Sequence, residues 1–115
     1  MASSLSVQSE RKMGYKLKVS KNAHKDLEDI VSYISNELSS PLAVANFLDE
    51  LEKGYHAVVD NPFMYALCND DRLRKEGYRK FLVKNYIVFY RIDESAAVVY
   101  IVRVIYGRRD YGKLL

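Results

Sequence analysis

The feature that most restricts the fold is a group of three strand-like runs in the last third of the chain. These runs, Tyr78–Lys84, Tyr86–Ile92 and Ala97–Tyr106, are short, apolar and rich in Val, Ile and Tyr. The first two are joined tightly around Lys84-Asn85, and residues 93–96 form the next turn. Runs spaced this closely predict a meander of antiparallel strands.

The preceding part of the chain predicts one strand and two helices. Tyr15–Val19 alternates apolar and basic residues, which is the period of a half-buried strand. Apolar residues then recur at helical spacing from Ala23 to Leu38, which predicts a helix with Ser20 as its N-cap. The solvent-exposed face of this helix is predicted to carry Lys25, Asp26, Glu28 and Asp29.

A second amphipathic helix is predicted from Pro41, with Ser40 as its N-cap, to a point before Asn61-Pro62. Residues 61–77 are predicted to have no regular secondary structure. The order is therefore β-α-α-β-β-β, an α+β fold in which a helical hairpin packs on a mainly antiparallel sheet.

Length and composition predict a single small domain in the cytoplasm. Residues 1–13 are polar and Ser-rich, so we expect a flexible N-terminal tail, followed by one domain over residues 14–115. No run approaches the roughly 18 apolar residues of a membrane span, and the first residues do not resemble a signal peptide. One cysteine, Cys68, fits a reducing compartment.

Charge divides the chain into two unequal parts. Residues 1–71 hold 7 Lys/Arg against 11 Asp/Glu, a net charge of −4, whereas residues 72–115 hold 11 against 4, a net charge of +7. All arginines except Arg11 lie in the basic part. Guanidinium groups bind phosphate and carboxylate through paired hydrogen bonds, so this part of the chain predicts an anionic partner.

The candidate functional residues come from this basic part. If the strands form a meander, Arg79, Arg91, Arg103 and Arg109 can converge on one side of the sheet and hold or neutralise a phosphate. Lys80, Lys84 and Arg108 are the accompanying RNA-binding candidates. Tyr106 and Tyr111 flank the basic Gly107–Asp110 segment, where an aromatic ring can stack on a base. The alternative is a solvated basic rim, or arginines that are paired with an acidic partner.

Strict alternation along the last strand predicts two apolar faces. Val98, Tyr100, Val102, Val104 and Tyr106 would point one way, and Val99, Ile101, Arg103 and Ile105 the other. One face packs on the helices. We expect the second face to be covered by a partner chain or to form an Arg-lined groove, because no further element of the chain is predicted to cover it.

Several chemistries lack the residues they need. His24, His56 and Cys68 are isolated from other ligands at metal-binding spacing, so neither a metal site nor a cysteine nucleophile is predicted. The sequence has no Gly-rich phosphate loop and no nucleophile elbow. We therefore expect no cofactor.

Taken in order, the motifs resemble the RelE/ParE toxin superfamily over residues 14–113. The resemblance is carried by Tyr15-Lys-Leu-Lys-Val-Ser, the helix over Ala23–Ile34, Gly77-Tyr-Arg, Asn85-Tyr-Ile-Val-Phe-Tyr-Arg and Val102-Arg-Val-Ile-Tyr-Gly-Arg-Arg-Asp. Members of this superfamily are small bacterial toxins, often described as plasmid stabilisation proteins. The resemblance implies a cytoplasmic hetero-oligomer with a cognate antitoxin that wraps across the toxin.

The superfamily divides by target, and the resemblance implies two alternatives. RelE-like members are ribosome-dependent mRNA endonucleases without a metal; here Arg79, Arg103, Arg109 and Tyr106 would be the catalytic set, with ribosome and mRNA as partners. ParE-like members inhibit DNA gyrase by protein binding without hydrolysis, which the helical hairpin would mediate. A third alternative is a degenerate member that only binds its antitoxin.

Three residues depart from the pattern of the ribonuclease members. Phe81 stands where a second Lys is common, Ile87 where many members carry Arg, and Tyr106 where a His often precedes Gly-Arg-Arg-Asp. These departures favour the gyrase alternative. The net charge of +7 over residues 72–115 favours binding to RNA. We give this charge more weight than the three departures, so the sequence predicts the endonuclease.

Overall fold

The predicted order of elements is confirmed, with two short additions. The computed structural model describes residues 14–109 and 111–115, so the predicted tail over residues 1–13 lies outside the described residues. A short helix interrupts the segment predicted to be irregular. The elements are β1 (Lys16–Val19), α1 (Lys21–Leu38), α2 (Pro41–Asp60), α3 (Asp71–Lys75), β2 (Arg79–Val83), β3 (Tyr86–Asp93), β4 (Val98–Tyr106) and a 3₁₀ turn (Tyr111–Lys113).

Both long helices begin where the capping residues predict. The Ser20 hydroxyl accepts a hydrogen bond from the Ala23 N–H at 3.0 Å, and the Ser40 hydroxyl accepts one from the Ala43 N–H at 3.1 Å. Between the helices Ser39 takes a left-handed conformation, with φ of 47°, which ends α1 and allows the immediate reversal into α2. Ser39, which ends α1, and Ser40, which caps α2, therefore produce a tight helical hairpin.

The sheet is mainly antiparallel and has the order β1-β4-β3-β2. The strand pairs β2–β3 and β3–β4 are antiparallel, whereas β1 runs parallel to β4. The β2–β3 turn is the expected two-residue turn, and Lys84 adopts φ of 55° there. The Gly107 N–H donates to the Asn85 carbonyl at 2.8 Å, which fixes this turn against the end of β4.

Each face of the sheet has its own core, and both are built from this chain. The helical hairpin covers a large core on one face, and a smaller core covers the other. The smaller core comprises Cys68, Leu73, Tyr78, Ile87, Phe89 and Ile105, with Tyr111, Leu114 and Leu115 packed against it. The premise that no further element of the chain covers this face, from which a partner chain or an Arg-lined groove was expected, is therefore wrong, because α3 and residues 111–115 pack on it.

A β-bulge in β4 overturns the predicted alternation of side chains. Phe89 pairs with Arg103 but Tyr90 pairs with Ile101, so Val102 is an extra residue on the β4 side. One extra residue moves every later side chain to the opposite face. Consequently Ile101 shares the helix-side core with Val104, and Ile105 lies in the smaller core.

Candidate functional site

Arg103, the central arginine of the predicted cluster, is hydrogen-bonded to other residues of this chain. Its Nε and Nη2 donate to the two carboxylate oxygens of Asp26 at 2.7 and 2.9 Å, and its Nη1 donates to the Leu114 carbonyl at 3.0 Å. The hydrogen bonds to Asp26 raise the pKa of Arg103 above its ordinary value, against the opposing effect of burial. All three guanidinium nitrogens thus have protein partners.

Asp26 is a residue that the sequence reading missed. The Asp26 carboxylate also accepts a hydrogen bond from the Val104 N–H at 2.9 Å. Val104 lies in the part of β4 that extends past the residues paired with β1. Only 13% of the Asp26 side chain is exposed, so the prediction that it lies on the solvent-exposed face of the first helix is wrong. Nothing in the helical spacing distinguishes it from Glu28 and Asp29, because the group that buries it lies 77 residues away.

Arg79 lies on the opposite face of the sheet from Arg103. Arg79 is paired in register with Tyr90 of the helix-side core, whereas Arg103 is paired with Phe89 of the smaller core. The Arg79 Nη1 donates to the Tyr65 carbonyl, and its guanidinium carbon lies 5.0 Å from the centroid of the Phe63 ring. These two arginines do not converge on a common point.

Two of the RNA-binding candidates do meet. The Lys80 Nζ lies 3.5 Å from the Tyr111 hydroxyl and 5.4 Å from the centroid of its ring. The Tyr111 ring in turn packs on Phe89 at a centroid distance of 5.0 Å. Lys80 and Tyr111 therefore form a cationic and aromatic pair on the face of the smaller core.

The other candidates lie at the end of the sheet, around the β2–β3 turn. Arg108 and Arg109 are exposed, and the Arg109 N–H donates to the Tyr106 carbonyl at 3.0 Å. Lys84, Tyr106 and Arg108 line a small groove of about 340 Å³. This group is separate from the Lys80–Tyr111 pair, so the predicted residues form two patches.

A larger cleft, which the sequence reading did not identify, opens beside Tyr106. We call it the hairpin cleft, because it lies where the α1–α2 turn meets the β2–β3 turn; its volume is about 750 Å³. The signal that could have found it is the pair of large side chains, Tyr33 and Leu38, near the end of α1. It is lined by Tyr33, Ile34, Leu38, Ala43, Asn46, Phe47, Lys84, Asn85, Tyr86 and Tyr106.

Two candidate classes find no support among the described residues. Over residues 14–109 and 111–115, no group of three or more His, Cys, Asp or Glu side chains is placed to hold a metal ion. Within the same residues, no helix combines the length and apolarity needed to cross a membrane.

We expect the free energy of unfolding to fall at alkaline pH because of two tyrosines. Burial raises the pKa of Tyr55 and Tyr90 to about 12, whereas tyrosine in an unfolded chain ionises near pH 10. The folded state keeps these two protons longer, so their contribution is complete below about pH 9 and is lost between about pH 10 and 12. Denaturant unfolding at stepped pH, with phenolate absorbance recorded in parallel, measures both effects.

Matched variants separate the two contributions to this pH dependence. The Tyr90 hydroxyl donates to the Pro62 carbonyl at 2.8 Å, whereas the buried Tyr55 hydroxyl has no partner within the described part of the chain. Tyr55→Phe should therefore flatten the alkaline slope without lowering stability at pH 7. Tyr90→Phe should flatten the slope and also cost about 1 kcal/mol. If every tyrosine of the folded protein titrated near pH 10, the alkaline loss of stability could not be due to Tyr55 and Tyr90.

The sequence model of the family described as "ParE toxin of type II toxin-antitoxin system, parDE" matches residues 17–111. The chain belongs to this ParE toxin family. The match includes the three α-helices, strands β2 to β4, all of β1 except Lys16, and every candidate site residue from Arg79 to Tyr111. Comparison with curated protein sequences gave no match.

Solved structures with the same fold come from toxin-antitoxin systems. One is a chain of the chromosomal ParDE system from P. aeruginosa, with 15% identity, a TM-score of 0.63, and coverage of 80% of this ParE-family chain and 95% of the other. Another is a chain of the RelBE2 toxin-antitoxin complex from Mycobacterium tuberculosis, with 20% identity, a TM-score of 0.57, and coverage of 81% and 98%. Both likenesses show the fold, which the two kinds of toxin share.

Proposed function

We propose that this chain is the toxin of a type II toxin-antitoxin module, that it inhibits DNA gyrase by protein binding, and that a cognate antitoxin neutralises it. The observation that carries the choice of mechanism is the separation of Arg79 from Arg103. Arg79 lies on one face of the sheet, and Arg103 lies on the other, bound to Asp26.

Cleavage of RNA by attack of a 2′-hydroxyl needs several cations around one phosphate, because charge accumulates on it in the transition state. In this chain the guanidinium of Arg103 is already neutralised by a carboxylate, and Arg79 cannot reach the same phosphate from the opposite face. A binding inhibitor needs no such convergence. It needs exposed contact surface, and the second helix of the hairpin exposes Leu42 and Leu48 by 68% and 43%.

The comparisons support the same choice. The matching family is described by its ParE toxin. Both of the structural neighbours described above come from toxin-antitoxin systems, which supports a cognate antitoxin as partner and a hetero-oligomer as the resting form.

Ribosome-dependent cleavage of mRNA is the second candidate. The Lys80–Tyr111 pair favours it, since a cation beside a partly exposed aromatic ring can bind a phosphate and stack on the neighbouring base. Exposed Arg108 and Arg109 would then supply further phosphate contacts. The net charge of +7 over residues 72–115 is consistent with this reading.

Induction of this chain in cells and assay of the purified protein on gyrase should distinguish the candidates. We expect growth arrest with intact transcripts, and loss of supercoiling with trapped cleaved DNA in the purified assay. Leu48→Glu should weaken inhibition at least about tenfold, because it places a charge in a hydrophobic contact. The double variant Lys80→Ala/Tyr111→Ala should arrest growth as the parent does.

The opposite pattern would identify the ribonuclease. New 5′ ends in phase with codons, together with an unaffected supercoiling reaction, would overturn the gyrase proposal. The Lys80→Ala/Tyr111→Ala variant would then lose its toxicity. Normal growth on induction, with both assays negative, would leave only the antitoxin-binding alternative.

A further inference from the structure

We propose that an open part of the sheet binds a single DNA strand through three cations and one exposed aromatic ring. These residues are Lys16, Lys18, Arg91 and Tyr100, which we call the open sheet patch, and none of them belongs to the two patches described above. The choice of DNA rests on the proposed function, since a toxin that traps cleaved DNA on gyrase has a DNA strand beside it.

The smaller core covers only the half of its sheet face that lies toward the β2–β3 turn. Within β3, that core ends at Phe89. Tyr90 and Ile101 belong to the helix-side core. Their neighbours Arg91 and Tyr100 therefore point to the other face, and both are exposed. In the described part of the chain, the surface around these two side chains is open to solvent.

The first strand adds two lysines to the same face. Leu17 packs against the helix-side core, so its neighbours Lys16 and Lys18 project from the opposite face, where both are exposed. Lys18 is paired with Tyr100, and Tyr100 is paired in turn with Arg91. Adjacent strands lie about 4.8 Å apart, so a lysine and an arginine stand on either side of the Tyr100 ring.

The cations of the open sheet patch are available to a ligand. The Arg91 guanidinium carbon lies 5.3 Å from the centroid of the Tyr78 ring, a contact that orients the side chain and leaves its charge uncompensated. Among the described residues, neither this arginine nor Lys16 or Lys18 has a carboxylate partner. Arg103 differs, because its guanidinium is already bound to Asp26.

The patch borders a concave surface that has room for a base. This surface, of about 620 Å³, is lined by Arg91 and Tyr100 on one side and by Asp93, Glu94 and Ser95 of the turn on the other. The Asp93 carboxylate accepts a hydrogen bond from the Ser95 hydroxyl at 2.9 Å, so it is directed to its own turn. The exposed Glu94 carboxylate can accept a hydrogen bond from the amino group of a base.

Shape and charge together favour a single nucleic-acid strand over other occupants. The major groove of a DNA duplex admits a helix or a two-stranded ribbon, whereas the patch lies on the face of a four-stranded sheet. A second copy of the chain in a two-fold contact would oppose like charges. An anionic peptide would satisfy the cations alone. A nucleic-acid strand can also stack a base on the Tyr100 ring.

The position of the patch allows protein and DNA to be bound together. Leu42 and Leu48, the exposed side chains proposed to contact gyrase, lie on α2 in the helix layer. The open sheet patch lies on the face of the sheet that is turned away from that layer. A bound toxin can therefore contact gyrase through its helices and a DNA strand through its sheet.

The test is the affinity of the full chain for a fluorescent single-stranded DNA of about 16 nucleotides, measured by anisotropy at several salt concentrations. Tyr100→Leu should raise Kd at least about fivefold. Lys18→Gln and Arg91→Gln should each raise Kd about three- to tenfold and lower the slope of log Kd against log salt by about 0.7. Tyr33→Leu and Lys53→Gln make matched changes at exposed positions in the helix layer and should leave Kd within about twofold.

The outcomes separate this inference from the gyrase proposal. Unchanged Kd for the three patch variants, or no binding by the parent at low salt, would overturn the inference alone if the parent inhibits gyrase. Tenfold tighter binding of the duplex, or of RNA with the same sequence, would overturn the choice of a single DNA strand. Binding as expected with unaffected supercoiling would support the patch and overturn the proposed function. Melting temperatures identify any unfolded variant, and Lys16→Gln then replaces Lys18→Gln.

Discussion

Replacing Asp26 by alanine is expected to lower the free energy of unfolding by about 3 kcal/mol. The substitution leaves the Arg103 guanidinium, whose side chain is only 20% exposed, without its carboxylate, and it removes the acceptor of the Val104 N–H. A loss of this size corresponds to a fall in melting temperature of roughly 10 °C or more. Chemical denaturation and calorimetry of the variant measure both quantities.

The neighbouring ion pair on α1 provides the control. The Lys25 Nζ lies 3.2 Å from the Asp29 carboxylate, but both side chains are mostly exposed, so Lys25→Ala should cost less than about 0.5 kcal/mol. A double-mutant cycle of Asp26→Ala with Arg103→Met should give a coupling energy above about 1 kcal/mol. Additive effects, or a cost for Asp26→Ala equal to that of Lys25→Ala, would contradict the structural role of the pair.

Gly54→Val is expected to destabilise the protein by about 2–3 kcal/mol. A Cβ at this position of α2 would lie 2.3 Å from the Phe81 Cε1, which is inside van der Waals contact. The Phe81 ring is 3% exposed and lies against Tyr65 and Tyr90, at centroid distances of 5.7 and 6.1 Å, so it has little room to move. The overpacking should therefore outweigh the gain in helix propensity, which is at most about 1 kcal/mol.

A second-site change tests the cause of this loss. Phe81→Leu removes the edge of the ring that the new side chain meets, so the double variant should cost at least about 1 kcal/mol less than the sum of the single variants. Denaturant unfolding of the four proteins gives the comparison. If the costs simply add, the ring is not the obstacle and the explanation fails.

The sequence predicted the elements whose signals are local. Ser20 and Ser40 begin the helices as expected because capping depends on residues within one turn. The Lys84-Asn85 turn was predictable for the same reason, since a two-residue connection restricts the hairpin geometry. Alternation in residues 15–19 correctly indicated β1, although its parallel pairing with β4 had no local signature.

What sequence reading missed depends on contacts between distant residues. The bulge at Val102 leaves no mark in a run of apolar residues that suits either face, so the face of Arg103 could not be assigned. The acidic residue that binds Arg103 looked like any other charge on a solvated helix. Convergence of the basic residues was inferred from an unbroken meander, and the structure instead divides them between two faces and two patches.

The parallel pairing of β1 with β4 joins residues 16–19 to residues 98–101 at one outer edge of the sheet. During synthesis, the first strand must therefore wait for almost the whole chain before its only neighbour exists. Contacts so far apart in sequence slow folding and couple the first and last elements into one cooperative step. A polypeptide released before β4 is complete has an unpaired β1, lacks the Arg103 anchor, and cannot assemble either core.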